Sequence, residues 1–186
     1  MHSGTQIVCL HEGVASNTDA VFIYALIKAL NPSWLRPWTG SNVVRTRPCG
    51  GRASLMQRIP DEIAACRSMG GSTVLMVWAD VDDDMADGDA LKRKFWQHCK
   101  AAGVQESDFD DVVFVFAKDR LENWIEFLET GRTDEAVEGP RAKSLRSVRD
   151  AARRLAMLCA TQADTKLPPS LGWSCANWRQ LVARMS

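Results

Sequence analysis

The chain has 186 residues, 46% apolar and 25% charged, which fits one globular domain with a full core and excludes disorder over the whole length. Basic and acidic residues number 23 each, so the formal net charge is zero. That balance hides a segregation: nine basic and two acidic residues lie from Arg141 onward, leaving 14 basic and 21 acidic groups in the first 140 residues. A basic tail beside an acidic body predicts a polyanion contact, docking onto the acidic part of the chain, or simply a solvated helix face.

Taken in chain order, Gln6–Leu10 is a short apolar run expected as a buried strand that stops at His11-Glu12-Gly13. Thr18-Asp19 caps a helix whose apolar residues run from Ala20 to Leu30 at helical spacing, before a loop over 33–41 holding Trp34 and Trp38. A weaker strand is expected over Ser41–Arg47, broken by Pro48-Cys49-Gly50-Gly51. A helix follows from Ser54 to Met69, with Pro60 either kinking it or starting a second helix. Ser72–Ala79 is the strongest strand, apolar almost throughout, as a central parallel strand covered on both faces would be. A helix over Asp89–Ala102, a strand over Val112–Ala117 and a helix to about Glu129 complete a β-α alternation. The expected fold is therefore α/β, a parallel sheet with helices on both faces. After a polar linker over 130–140, a basic amphipathic helix spans 142–158, with Ala142, Leu145, Val148, Ala152, Leu155 and Leu158 as its apolar stripe. A last short helix is expected near Ala176–Met185.

Three places put acids directly after a buried strand: Glu12, the Asp80–Asp84 run, and Glu122. A parallel sheet carries such strand ends to one edge, where ligands bind, so the three converge there. Converging carboxylates repel and call for a cation, and hard oxygen ligands suit Mg²⁺ or Mn²⁺. If the chain stays extended, Asp80, Asp82 and Asp84 share one side and Asp83 points away. The competing explanation is loop and helix-cap chemistry, the role expected of Asp87 and Asp89.

IVCLHEG, the Asp-led helix with Asp19 and Phe22, and VLMVWADVD together resemble the Toprim (topoisomerase–primase) domain, whose pattern is a Glu after the first strand and D-x-D after the third. DRLENWIEFL resembles the E-x-W segment of small Toprim proteins related to the OLD (overcoming lysogenization defect) nucleases. The resemblance covers roughly residues 5–130 and implies a Toprim-like catalytic domain over 1–130, with 131–186 as a basic helical extension packed on it. It further implies metal-dependent phosphodiester chemistry, with Glu12 as acid/base or metal ligand, Asp80 and Asp82 as the metal pair, and Glu122 as a further carboxylate. The short relatives carry an acid soon after Glu-Gly, where this chain has VASNT before Asp19, so Asp19 is expected to cap its helix.

Lys118 follows the fourth strand and is a candidate for stabilising charge on phosphorus, or else for a surface ion pair with Asp119 or Glu122. Gly50-Gly51 lacks nucleotide-loop spacing and reads as a plain turn, with Arg52 placed to touch a phosphate. Lys143, Arg146, Arg149 and Arg153 are the candidate contacts to a nucleic-acid backbone. Trp34 and Trp38 are candidates for stacking on bases, while Trp78, Trp96 and Trp124 are expected in the core. Of the six cysteines, Cys9, Cys49, Cys66, Cys99, Cys159 and Cys175, none lies in a CxxC, and most sit among apolar residues as reduced, buried thiols do. His2, His11 and His98 lack zinc spacing. MHSGTQIVCL lacks a signal-peptide pattern and no run reaches the ~20 apolar residues of a membrane span, so a cytoplasmic location is expected.

Two functions from different classes follow. One is a Mg²⁺- or Mn²⁺-dependent nuclease on nucleic acid, which the resemblance would place in bacterial defence against phage. The other is a non-catalytic Toprim-like subunit of a complex whose ATPase is a partner protein, since OLD-type relatives carry an ATPase and this chain has no Walker motif.

Overall fold

The computed structural model describes residues 6–14, 18–30, 44–69, 73–82, 85–161 and 166–184, with side chains after Leu158 described again over 166–178. Among the described residues four strands form one sheet: β1 (Gln6–His11), β2 (Val44–Pro48), β3 (Thr73–Val81) and β4 (Val113–Lys118). Every pairing is parallel and the order is β2-β1-β3-β4. The central strands β1 and β3 are the long apolar runs, because both of their faces are covered.

Among the described residues seven helices surround the sheet: α1 (Thr18–Leu30), α2 (Arg52–Ser68), α3 (Gly88–Ala101), α4 (Glu106–Asp110), α5 (Leu121–Thr130), α6 (Leu145–Thr161) and α7 (Pro169–Arg184). The strand alternation splits the core in two. Ile7, Cys9, Met76, Trp78, Val113 and Val115 face α1, α5 and α6, and Val8, Leu10, Val77, Phe114 and Phe116 face α2, α3 and α4. The fold is α/β, a parallel sheet with helices on both faces and C-terminal helices joined to it. Val148, Ala151, Ala152 and Leu155 of α6 lie in the same apolar cluster as α1 and β1. Burying a side chain such as Val148 or Leu155 contributes ~1.5–3 kcal/mol, so this helix is part of the core.

Several boundaries differ from the sequence reading. Helix α2 begins at Arg52 rather than Ser54 and runs unbroken past Pro60 to Ser68. The proline removes one N–H, yet Leu55, Ile59 and Ile63 bury the apolar face on both sides of it and hold the helix together. α4 was not expected; at five residues it is too short to display a period. α6 starts at Leu145, where Ser144 Oγ accepts from Ser147 N at 3.2 Å. Leu145 itself is exposed, and Ala151 and Ala156 join the buried stripe. α7 starts at Pro169, seven residues before Ala176, with proline in the first turn where its missing N–H costs nothing. The loop over 33–41, with Trp34 and Trp38, and the start of the second expected strand lie outside the described residues, as does Met185.

α7 closes the free edge of β4. Ser174 Oγ donates to Phe116 O and accepts from Phe116 N, each at 3.0 Å, and Asn177 Nδ2 donates to Phe114 O at 3.1 Å. Unpaired strand groups that would invite another chain are thereby satisfied by side chains. Trp173 lies flat on Phe116, 12° from parallel at 5.0 Å, and a Cβ on Gly88 would stand 2.8 Å from its ring, so the helix fits only against glycine there. Ser174→Ala strands a buried donor and acceptor on β4. It should lower unfolding free energy by ~1–3 kcal/mol in urea titration, and an unchanged midpoint would show that the edge is held by packing alone.

Candidate carboxylate site at the sheet edge

The β1 chain continues past His11 into a turn knitted to the end of β2. Cys49 N, Gly50 N and Gly51 N donate to His11 O, Gly13 O and Glu12 O at 2.8, 3.1 and 2.8 Å. Gly50 and Gly51 have φ of +72° and +124°, which other residues adopt only under strain. That turn sets Arg52, the first residue of α2, beside Glu12. Arg52 Nε donates to Glu12 Oε1 at 2.6 Å, and Nη2 donates to Asp82 Oδ2 at 2.9 Å and to the Asp80 carbonyl. Glu12 Oε1 also accepts from Asp80 N at 3.3 Å. Arg52 is partly buried, and its guanidinium links three stretches of chain.

Asp80 remains inside β3, so the chain is extended there as the D-x-D reading requires. Its carboxyl is held well above the usual aspartate range, first by burial and then by the charges of Glu12, Asp19, Asp82 and Glu122. Glu12 just after β1, Asp19 of α1, Asp82 just after β3 and Glu122 of α5 therefore all act on Asp80 at the carboxyl edge of the sheet. Burial also raises Glu12, against the opposing hydrogen bond and charge of Arg52. Asp19 lies in the first turn of α1, where an acid suits the helix dipole, and its Oδ2 stands 3.4 Å from His11 Nδ1. His11 is buried at the end of β1, with neither ring nitrogen in a hydrogen bond. The sequence offered no sign of this histidine's place beyond its position next to Glu12.

Among the other residues singled out from sequence, Glu122 joins the cluster, while Asp84 lies outside the described residues. Lys118 ends β4 and lines a separate cavity of about 470 Å³ with Val81, Asp87, Glu135 and Trp173. Just after it, Asp119 has a φ of +62° and Arg120 N donates back to Lys118 O at 2.7 Å, a tight reversal that carries strain of ~1–3 kcal/mol at the same edge. Lys143, Arg146, Arg149 and Arg153 are exposed. Asp150 meets Arg153 at 2.9 Å and Arg146 at 3.9 Å, which offsets part of that positive charge. Trp78 and Trp124 are core residues, and Trp96 packs partly buried against the α3 side. The five cysteines whose side chains are described are buried and in no disulfide.

The donor set is one of hard oxygens with a surplus of negative charge, which matches the chemistry of Mg²⁺ or Mn²⁺. Among the described residues no three His, Cys, Asp or Glu side chains stand close enough to hold an ion as they are. Arg52 sits between Glu12 and Asp82, so closing those carboxylates on an ion requires its guanidinium to withdraw. No protein-family model, curated protein or solved structure matches the chain.

A carboxyl whose pKa is raised on folding binds its proton more tightly in the folded state, so the folded state loses stability as pH rises from the ordinary carboxylate range through the raised value. Asp80→Asn removes the buried charge while keeping its shape. Without metal at neutral pH it should melt at a higher temperature than wild type, and the gap should close as pH falls below the ordinary aspartate range. An equal or lower melting temperature for the variant at neutral pH would contradict the repulsion.

Proposed function

We propose that the chain is a divalent-metal-dependent nuclease that hydrolyses phosphodiester bonds of nucleic acid. The observation that carries this reading is the convergence of Glu12, Asp19, Asp82 and Glu122 on the buried Asp80 at one edge of a parallel sheet, where burial first and their charges second raise its carboxyl above the usual range. The resemblance of the strand-end motifs to the Toprim pattern supports it independently. Glu12, Asp80 and Asp82, with Asp84, would hold Mg²⁺ or Mn²⁺, which when bound polarises a phosphoryl oxygen and makes water a stronger nucleophile. Arg52 would exchange its carboxylate partners for the substrate phosphate. Glu122, acting on Asp80 from the first turn of α5, is placed to take up or return a proton. Lys118 would add positive charge at the same edge, and Arg146, Arg149, Arg153 and Lys143 would bind the nucleic-acid backbone. Buried thiols outside any disulfide suit a reducing, cytoplasmic setting, and the resemblance alone suggests an effector in defence against phage. No described helix is long and apolar enough to cross a membrane.

A second reading rests on Arg52 itself. Its bonds to Glu12, Asp82 and the Asp80 backbone partly neutralise the acids from within, as a structural cluster would. The chain would then be a non-catalytic subunit for an ATPase partner. Incubation of plasmid, single-stranded DNA and RNA with the purified chain and millimolar Mg²⁺ or Mn²⁺ separates the two. Cleavage should appear, vanish with a chelator, and fall by at least about a hundredfold in Asp80→Ala and Glu12→Gln, since even residues that only orient metal ligands cost up to that much. A folded chain that cuts none of these substrates yet binds an ATPase stably would favour the subunit reading.

A further inference from the structure

A groove of about 790 Å³ runs between α1, the edge strand β2 and α6. It begins at Ala20, the residue after Asp19, and passes Tyr24 to Lys28; Thr46 forms its β2 wall, and Arg149 and Arg153 its α6 wall. Among the described residues that line it, three of nine are basic and none is acidic, although the first 140 residues as a whole are acidic. The cavity beside Lys118, by contrast, is lined by Asp87, Asp89 and Glu135. Tyr24 is 38% exposed in the groove, an aromatic face among cations. Asp150 bonds Arg153 at 2.9 Å from outside the described lining, which offsets part of that residue's charge.

Several cations and an exposed aromatic ring in one groove are what an extended single strand needs, with phosphates on the cations and a base stacked on the ring. A duplex is a convex rod whose bases are already stacked, so it would meet the rim and leave the ring unused. We infer that this groove binds a single-stranded segment of nucleic acid and leads it to the carboxylate cluster, with Lys28, Arg149 and Arg153 on phosphates and Tyr24 on a base. The inference rests on the nuclease reading for its purpose, but its geometry is that of α1, β2 and α6. It adds Lys28 and Tyr24, which the sequence did not single out, and it names the strandedness of the substrate.

Binding is read by fluorescence anisotropy of a labelled twelve-nucleotide single strand and the matching duplex, with EDTA present so that cleavage plays no part. The single strand should bind more tightly than the duplex, with a log–log salt slope of about −2, as three phosphate contacts on a single strand give. Lys28→Glu and Arg149→Glu should each weaken binding about tenfold and flatten that slope. Tyr24→Ala should weaken it about tenfold and Tyr24→Phe should keep it, consistent with stacking. Lys100→Glu, an exposed change on α3, should leave affinity unchanged. Circular dichroism melts verify folding, and Lys28→Gln and Arg149→Gln replace any charge reversal that unfolds the chain. Equal affinity for duplex, affinity untouched in folded Lys28 and Arg149 variants, or displacement by poly-glutamate at equal charge would overturn the inference, the last in favour of an acidic peptide. Binding without cleavage would sink the nuclease reading and leave the groove standing, whereas cleavage of single strands with no dependence on Lys28 or Arg149 would do the reverse.

Discussion

The guanidinium of Arg52 joins chain segments that would otherwise repel one another at the carboxyl edge of the sheet. Glu12 follows β1, Asp80 is the second-last residue of β3, and Asp82 follows that strand, and Arg52 bonds a carboxylate, a carbonyl and a second carboxylate among them. Its place depends on the turn at Gly50-Gly51, whose positive φ values allow the chain to turn directly from the end of β2 into α2. Losing the arginine would leave Glu12 partly buried with its burial penalty unopposed, and Asp80 facing four carboxylates with less positive charge nearby. On the proposed function, the same arrangement would make the edge responsive to cations. A site that is short of positive charge would gain most from a divalent ion.

The rest of the molecule keeps that edge rigid and open. α7 satisfies the free edge of β4 through Ser174 and Asn177 and stacks Trp173 on Phe116. Glu135, from the segment between α5 and α6, accepts from Ser170 N at 3.2 Å and from Ser170 Oγ at 2.5 Å, and Ser170 Oγ accepts from Trp124 Nε1 at 2.8 Å. That chain of bonds ties the start of α7 to α5, the helix that brings Glu122 to Asp80. On the other side of the cluster, α6 packs on α1 through Val148, Ala152 and Leu155, which places Arg149 and Arg153 beside α1. C-terminal helices thus fix both flanks of a site built from strand ends.

Much of this was legible in the sequence where a local pattern decided it. The runs IVCL, VLMVWA and VFVF admit little besides buried strands, and the alternation with helices fixed the parallel order of chemistry along one edge. The gathering of Glu12, Asp80 and Glu122 followed from that order. Arg52 was read as a contact to phosphate, and its bonds to the acids were not legible, because its partners lie 40 and 30 positions away and no local period links them. Asp19 looked like a cap since VASNT separates it from Glu12, yet α1 brings its charge to Asp80. The first turns of α7 were missed because Ser170, Gly172 and Ser174 carry weak helix propensity. Contacts of Ser174 and Trp173 with β4 outweigh that preference.

Calorimetric titration of Mn²⁺ into the metal-free protein tests the central claim most directly, that the edge is a cation site held in waiting by Arg52. Wild type should take up at least one ion per chain. Asp80→Asn should bind at least about tenfold more weakly, and Arg52→Met should bind no more weakly than wild type, because the competing guanidinium is gone. Absence of binding by the folded wild type, or binding that Asp80→Asn leaves unchanged, would contradict the account.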